Sequence, residues 1–180
     1  MQNGKGRRLI FSPPSAEEEQ RIRIGLAEYI SEQSVKQLLA NQHIIIARGR
    51  RQEVYILTSE LQRLYKQIQS LRHPYFVGRF LGELTKTGLK PSLHILHTLG
   101  DAVRETARVI TTLKGEQRFL YGQALEKQHL KDWPANSEQE KKVLVVNEQG
   151  DALGYGSLTL TGRISVKNQQ DLGWYLRRGH

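Results

Sequence analysis

Two pairs of short apolar runs, each folded back by a polar turn too short for a helix, restrict the fold of this chain more than any other feature. In the first pair His43-Ile44-Ile45-Ile46 and Val54-Tyr55-Ile56-Leu57 flank Arg48-Gly49-Arg50-Arg51. In the second, Val143-Leu144-Val145-Val146 and Ala152-Leu153-Gly154-Tyr155-Gly156 flank Asn147-Glu148-Gln149-Gly150-Asp151. β-Branched side chains suit a pleated surface, and turn residues between two such runs fold them into an antiparallel hairpin. A sheet is therefore expected in each half of the chain.

Helical periodicity appears around these hairpins. Ser15 and Glu18 have the spacing of a capping box, and Ile22, Leu26, Tyr29 and Ile30 share one helical face, which predicts a helix over 16–32. Ser59 and Gln62 repeat the pattern before Leu61, Leu64, Tyr65, Ile68 and Leu71, with Pro74 as the stop. Gly78 and Gly82 interrupt the apolar stretch 75–84, as in a strand with a bulge or a close backbone approach. Leu93-His94-Ile95-Leu96-His97 reads as a further strand, 101–108 as a short helix, and 108–112 as a strand. Phe119, Leu120 and Leu125 have helical spacing within 115–125, and 131–142, with Trp133-Pro134, reads as a surface loop.

At 180 residues the chain accommodates two small domains, and the change of pattern places their boundary near residue 102. No run approaches the roughly 20 apolar residues of a membrane span. Leu9-Ile10-Phe11 is too short for a secretory signal, so a protein that stays in the cell and off the membrane is expected. There is no cysteine, which excludes disulfides, thiol nucleophiles and cysteine-ligated zinc. Gly78-Arg79-Phe80-Leu81-Gly82 lacks the dinucleotide-binding spacing. No phosphate loop, nucleophile elbow or H-E-x-x-H pattern occurs either. His94 and His97, three apart, point to opposite faces of a strand and then share no metal, whereas on a helix the same spacing would allow a joint site. Neither catalytic residues, nor metal, nor cofactor is expected.

The balance of 27 Lys and Arg against 18 Asp and Glu, +9 in all, favours a polyanionic partner. The excess is larger in residues 1–103 than in 104–180. The basic residues fall into groups: Lys5, Arg7 and Arg8; Arg48, Arg50 and Arg51; Lys86 and Lys90; Lys141 and Lys142; and Arg163, Lys167, Arg177 and Arg178. The last group is interleaved with Trp174 and Tyr175, rings that either stack on unpaired bases or fill the core.

Residues 115–122 (Gly-Glu-Gln-Arg-Phe-Leu-Tyr-Gly), the strand Val143–Val146 with Gly150, Gly154-Tyr155-Gly156, and Asp171-Leu172-Gly173-Trp174-Tyr175-Leu176-Arg177 resemble a PUA domain. Upstream, Gly78 to Thr87 and Leu93-His94 resemble the pre-PUA domain of the "nuclear import protein seven" family of large-subunit ribosome biogenesis factors, and the resemblance runs from 17 to 178 in order. It implies an α+β protein: an N-terminal mixed α/β pre-PUA domain, 1–102, followed by a C-terminal PUA β pseudo-barrel, 103–180. It also implies a non-enzymatic RNA-binding factor in pre-rRNA processing and large ribosomal subunit assembly. Its expected partners are pre-rRNA, including U-rich single strands, the pre-ribosomal particle and other biogenesis proteins, with the N-terminal domain meeting the proteins. The chain is expected to be a monomer, cytoplasmic if archaeal and nucleolar if eukaryotic. The alternative is an accessory RNA-delivery subunit of an RNA-modifying enzyme.

The family's basic RNA contacts carry over to Arg163 and Lys167, and the neighbouring Arg177 and Arg178 extend the expected RNA-binding set. Two departures stand out. Ser165 and Gln170 occupy positions that are basic in some archaeal relatives, and Lys127 to Lys131 lacks the glycine that opens the backbone to RNA in many PUA domains.

Overall fold

A computed structural model describes residues 9–68, 77–135 and 140–177. The chain divides into two compact units, one of residues 1–26 and 32–92, the other of 27–31 and 93–180.

The first unit contains β1 (Ile10–Ser12), α1 (Ala16–Ala27), α2 (Glu32–Leu39), β2 (Gln42–Arg48), β3 (Gln52–Thr58), α3 (Ser59–Ile68), β4 (Arg79–Thr85) and β5 (Gly88–Pro91). Its strands form an antiparallel sheet in the order β1-β2-β3-β4-β5. The expected hairpin is present, with Arg48 opposite Gln52 and Gln42 opposite Thr58. The capping box at the start of α1 is complete: the Ser15 N–H donates to Glu18 Oε2 (2.8 Å) and the Glu18 N–H to Ser15 Oγ (3.2 Å).

Glu18 also receives both terminal nitrogens of Arg48, at 2.7 and 2.8 Å. Residues two apart on a strand share a face, so Arg48 shows that α1 covers the face bearing Ile46. Gly25 brings α1 against β5, where a Cβ would lie 2.7 Å from that of Leu89. The opposite face carries Ile45, Ala47, Tyr55 and Leu57, packed with Tyr65 of α3, Val77 and Phe11. With both faces covered, the central strands read as unbroken apolar runs instead of alternating.

The helix expected over 16–32 ends at Ala27. Tyr29 and Ile30 continue its spacing, yet they are buried in the second unit, where Ile30 bridges to Val103 and the Arg104 N–H donates to the Tyr29 carbonyl. The cap of α3 is Thr58, whose Oγ1 accepts from the Leu61 N–H at 3.3 Å, one residue before the expected Ser59. Of its expected apolar face, Tyr65 is buried while Leu61 and Leu64 are exposed. Leu71 and Pro74 lie outside the described residues. Gly82 is where backbones meet: a Cβ there would lie 2.2 Å from the Lys90 carbonyl oxygen, and the β3–β4 register slips beside it, between Val54 and Tyr55.

The second unit contains α4 (Leu93–Thr98), β6 (Arg108–Thr111), α5 (Leu113–Leu120), β7 (Leu125–Glu126), β8 (Leu130–Asp132), β9 (Lys141–Val146), β10 (Ala152–Thr159), β11 (Ser165–Asp171) and α6 (Trp174–Arg177). Residues 93–97 are therefore helical, not a strand. Ile95 and Leu96 are buried together on one side, which a helix permits, and a five-residue apolar run does not separate the two periods. Two single 3₁₀ turns, Gly100–Ala102 and Glu105–Ala107, replace the short helix expected over 101–108. The helix expected over 115–125 stops at Leu120, and Leu125 opens β7. The expected loop 131–142 holds the end of β8 and the start of β9, and Trp133 packs at the margin of the core.

The sheet order is β7-β11-β10-β9-β6-β8, and only β6 and β9 pair in parallel. Its two edge strands follow each other in sequence, separated by the 3₁₀ turn Lys127–His129, so the sheet curls into a nearly closed barrel. Inside lie Val109, Phe119, Leu125, Leu130, Val143, Val145, Leu153, Leu158 and Val166. Outside, the Tyr29 ring stacks edge-on against Tyr155 with centroids 6.2 Å apart, and Lys142 pairs with Glu28 at 2.6 Å.

Candidate nucleic-acid interface

Strand β11 and the turn before it position the expected RNA contacts. Its residues alternate between the barrel and solvent: Val166 is fully buried and Lys167 beside it is exposed. Lys167 has no partner among the described residues. Arg163 sits in the β10–β11 turn with its side chain 75% exposed, and its guanidinium reaches Glu126 of β7 at 2.6 Å. Exposed ion pairs of this kind exchange readily with water or a competing anion, so the pairing with Glu126 leaves Arg163 accessible to solvent. Gln170 is engaged elsewhere, accepting the Tyr155 hydroxyl at 2.9 Å.

Arg177 has a different environment. It donates to both carboxylate oxygens of Asp171, at 2.9 and 2.8 Å, and to the Leu120 carbonyl. Asp171 is almost wholly buried, and a buried carboxylate needs such a bidentate partner. The same bond holds the guanidinium above its ordinary pKa. Gly122 and Gly173 lie against this group: Gly173 has no room for a Cβ beside the Leu120 carbonyl, and Gly122 has a φ of +80° that favours glycine. Arg177 thus fastens the end of β11 to the end of α5, and Trp174, on α6 beside it, is partly exposed. Arg178 lies outside the described residues. The structure brings Arg163 and Lys167 together at the start of β11 and places Arg177 at its far end.

Two cations that the sequence reading passed over stand near Arg163. Lys114 and Arg118 lie four apart on α5, and their charge is felt at His129 together with that of Glu126. His129 is buried, and its Nδ1 accepts from the Glu126 N–H at 3.0 Å. Burial first, and then Arg118 and Lys114, hold its pKa below the ordinary histidine value. The i, i+4 spacing was visible in the chain, but it marks one face only once the helix is placed. The glycine-free segment Lys127 to Lys131 forms the 3₁₀ turn and β8, and α5 packs on it at Gly115, where a Cβ would lie 2.1 Å from the His129 carbonyl oxygen. That backbone is covered by the protein itself.

His94 and His97 are both exposed on α4. Three residues apart on a helix they share a side, but no group of three or more metal-ligating side chains occurs among the described residues. No helix among the described residues is long and apolar enough to cross a membrane.

Two family models match the chain in series: the NIP7/UPF0113 pre-PUA domain over residues 11–94 and the UPF0113 PUA domain over 107–180. A UPF0113 protein of Aeropyrum pernix is 33% identical over 133 residues, 73% of this chain and 72% of the relative. The chain belongs to the NIP7/UPF0113 family. Among solved structures, a hypothetical protein of Pyrococcus horikoshii aligns with a TM-score of 0.58 at 18% identity, over 93% of this chain and 99% of that one. A conserved PUA domain protein of Thermoplasma acidophilum gives 0.59 at 13%, over 93% and 97%. A PUA domain from Aeropyrum pernix in complex with tartrate gives 0.56 at 16%, over 94% and 89%. These likenesses establish the fold of this NIP7/UPF0113 member: a pre-PUA domain followed by a PUA domain.

Proposed function

We propose that this chain is a non-enzymatic RNA-binding factor that acts in pre-rRNA processing and large ribosomal subunit assembly. Arg163 and Lys167 would contact single-stranded or looped RNA, with Lys114 and Arg118 beside them. The observation that carries the reading is the pair of exposed cations at the start of β11, on a PUA domain whose family points to RNA binding. Neutralising phosphates supplies most of the affinity in such a mode, and base preference stays modest. The first compact unit would meet other assembly factors, and the second, which takes in residues 93–102 together with the barrel, would bind the RNA. With archaeal proteins among its relatives, the location proposed is the cytoplasm.

Replacing Arg163 and Lys167 together by alanine tests the site. Stability should change by no more than about 0.5 kcal/mol, because both side chains are exposed. Affinity for a U-rich single strand should fall, and the log–log salt slope should lose about 1.4, two phosphates at about 0.7 each. A titration at several salt concentrations reads both quantities, and an unchanged slope would remove these residues from the interface. Crosslinking in cells followed by sequencing tests the cellular role: pre-rRNA fragments support it. Fixed stoichiometry with a methyltransferase or pseudouridine synthase would favour the RNA-delivery alternative.

A further inference from the structure

The antiparallel register of the first unit brings two basic turns, far apart in sequence, to the same end of its sheet. β2 runs into Gly49-Arg50-Arg51 and β3 leaves it. β4 runs antiparallel to β3, with Gln52 opposite Leu84, so the β4–β5 turn Lys86-Thr87 lies at that same end. Neighbouring strands are about 4.8 Å apart, which makes the two turns neighbours. The helices α2 and α3 join the sheet at its other end, where Gln42 pairs with Thr58.

The cations at the turn end are not equivalent. Arg48 is neutralised by Glu18 and also donates to Ser12. Arg21 is held by the Thr85 carbonyl and lies 3.9 Å from Glu17. Arg50 and Lys86 are exposed and have no partner among the described residues. Arg51, 69% exposed, has only a loose 3.4 Å contact to Glu83, and Lys90 is exposed on β5 across from the same glutamate. The other acid nearby, Glu53, is occupied by the Tyr55 hydroxyl at 2.8 Å. Glu53 and Glu83, opposite each other on β3 and β4, offset part of the positive charge, and Arg51 is shared with Glu83, but Arg50 and Lys86 at the tips are left without a counter-ion among the described residues.

We infer that Arg50, Arg51 and Lys86 form a second RNA contact, one that grips the phosphodiester backbone without reading bases. Three cations on two exposed turns fit a repeating phosphate chain. Among the described residues the tips carry no aromatic ring for base stacking: Phe11 packs on Tyr55 and Tyr65, and the exposed Phe80, which packs on Tyr55, lies at the other end of β4. The inference rests on the reading of the chain as an RNA-binding protein. It adds an RNA contact to the domain, 1–102, for which the sequence reading expected protein partners.

The test is a titration of the full chain against a uridine strand of about 8 nucleotides and one of about 30, the shorter being within the site size of a single module. The variant replaces Arg50, Arg51 and Lys86 by alanine, and a second version uses glutamine to keep the turns polar should alanine disturb them. A control removes the same charge at the far end of the sheet, through Lys36, Arg63 and Lys66 to alanine. The tip variant should lose about tenfold or more in affinity for the long strand at low salt, with a slope shallower by about 2, and bind the short strand as the parent does. Parent-like binding of the long strand, or an equal loss in the control, overturns the inference. So does parent-like RNA binding combined with lost retention of polyglutamate, which would assign the tips to an acidic protein. If instead the tip variant loses both strands while the Arg163 and Lys167 variant keeps both, the inference stands and the placement of the primary site on β11 fails.

Discussion

Gly154 has little freedom to change. A Cβ on it would lie 2.2 Å from the Gln170 carbonyl oxygen, 2.7 Å from the Asp171 Cα and 2.9 Å from the Phe119 ring. The strand β11 on one side and the helix α5 on the other both close on this residue, which is how a barrel this small keeps Phe119 at its centre. Gly154→Val must push apart two backbones, and overpacking in a filled core costs about 3 kcal/mol. Thermal unfolding of the variant should show a melting temperature lower by several degrees. An unchanged value would mean that the approach of β11 to β10 is not as close as described. Arg177 shows the opposite relation between residue and site. Its charge was legible as a candidate RNA contact, but its partner, six residues earlier in sequence, becomes a buried carboxylate only through the turn after β11 and the packing of α5, and neither is written in local pattern.

At the scale of elements, the hairpins were legible because turn residues and β-branched runs coincide, and burial of both sheet faces made their apolar runs continuous. The helix ends were less so. Tyr29 and Ile30 keep the period of α1 although they are buried in another unit, because periodicity records burial and not the core that provides it. The site was half legible: Arg163 and Lys167 stood out by family resemblance, whereas Lys114 and Arg118 needed the exact extent of α5. The 3₁₀ turn Lys127–His129, which links the barrel's edge strands, depends on an unprotonated imidazole, since His129 Nδ1 must accept the Glu126 N–H. Its pKa is depressed in the fold, so the unfolded chain binds the proton first. The stabilisation is complete above the unfolded value of about 6.5 and is lost as pH falls from there through the folded one. An NMR titration should find His129 still neutral below the ordinary histidine value, and the turn should loosen only at lower pH. Titration of His129 at or above the ordinary histidine value would refute the dependence.

For the molecule as a whole, the second unit takes five residues, Ala27–Ser31, from within the sequence of the first. Cutting the chain at the apparent domain boundary removes Tyr29 from Tyr155 and Glu28 from Lys142. A fragment of residues 93–180 should therefore unfold at a lower temperature than the same unit in the full chain. Loss of a buried aromatic side chain costs about 3 kcal/mol or more. Calorimetry of both proteins measures the difference, and equal transitions would show that Ala27–Ser31 adds nothing to the unit.

The same borrowing sets an order of events during synthesis. Ala27–Ser31 leaves the ribosome early, while Val103 and Tyr155, with which Ile30 and Tyr29 pair, are made much later. Contacts that close such long loops form slowly, so the segment spends most of translation waiting, its tyrosine and isoleucine uncovered. The strands and helices of the first unit have all been made by about residue 92. Until the barrel's last strands emerge, the nascent chain thus carries a small apolar flag whose covering residues do not yet exist.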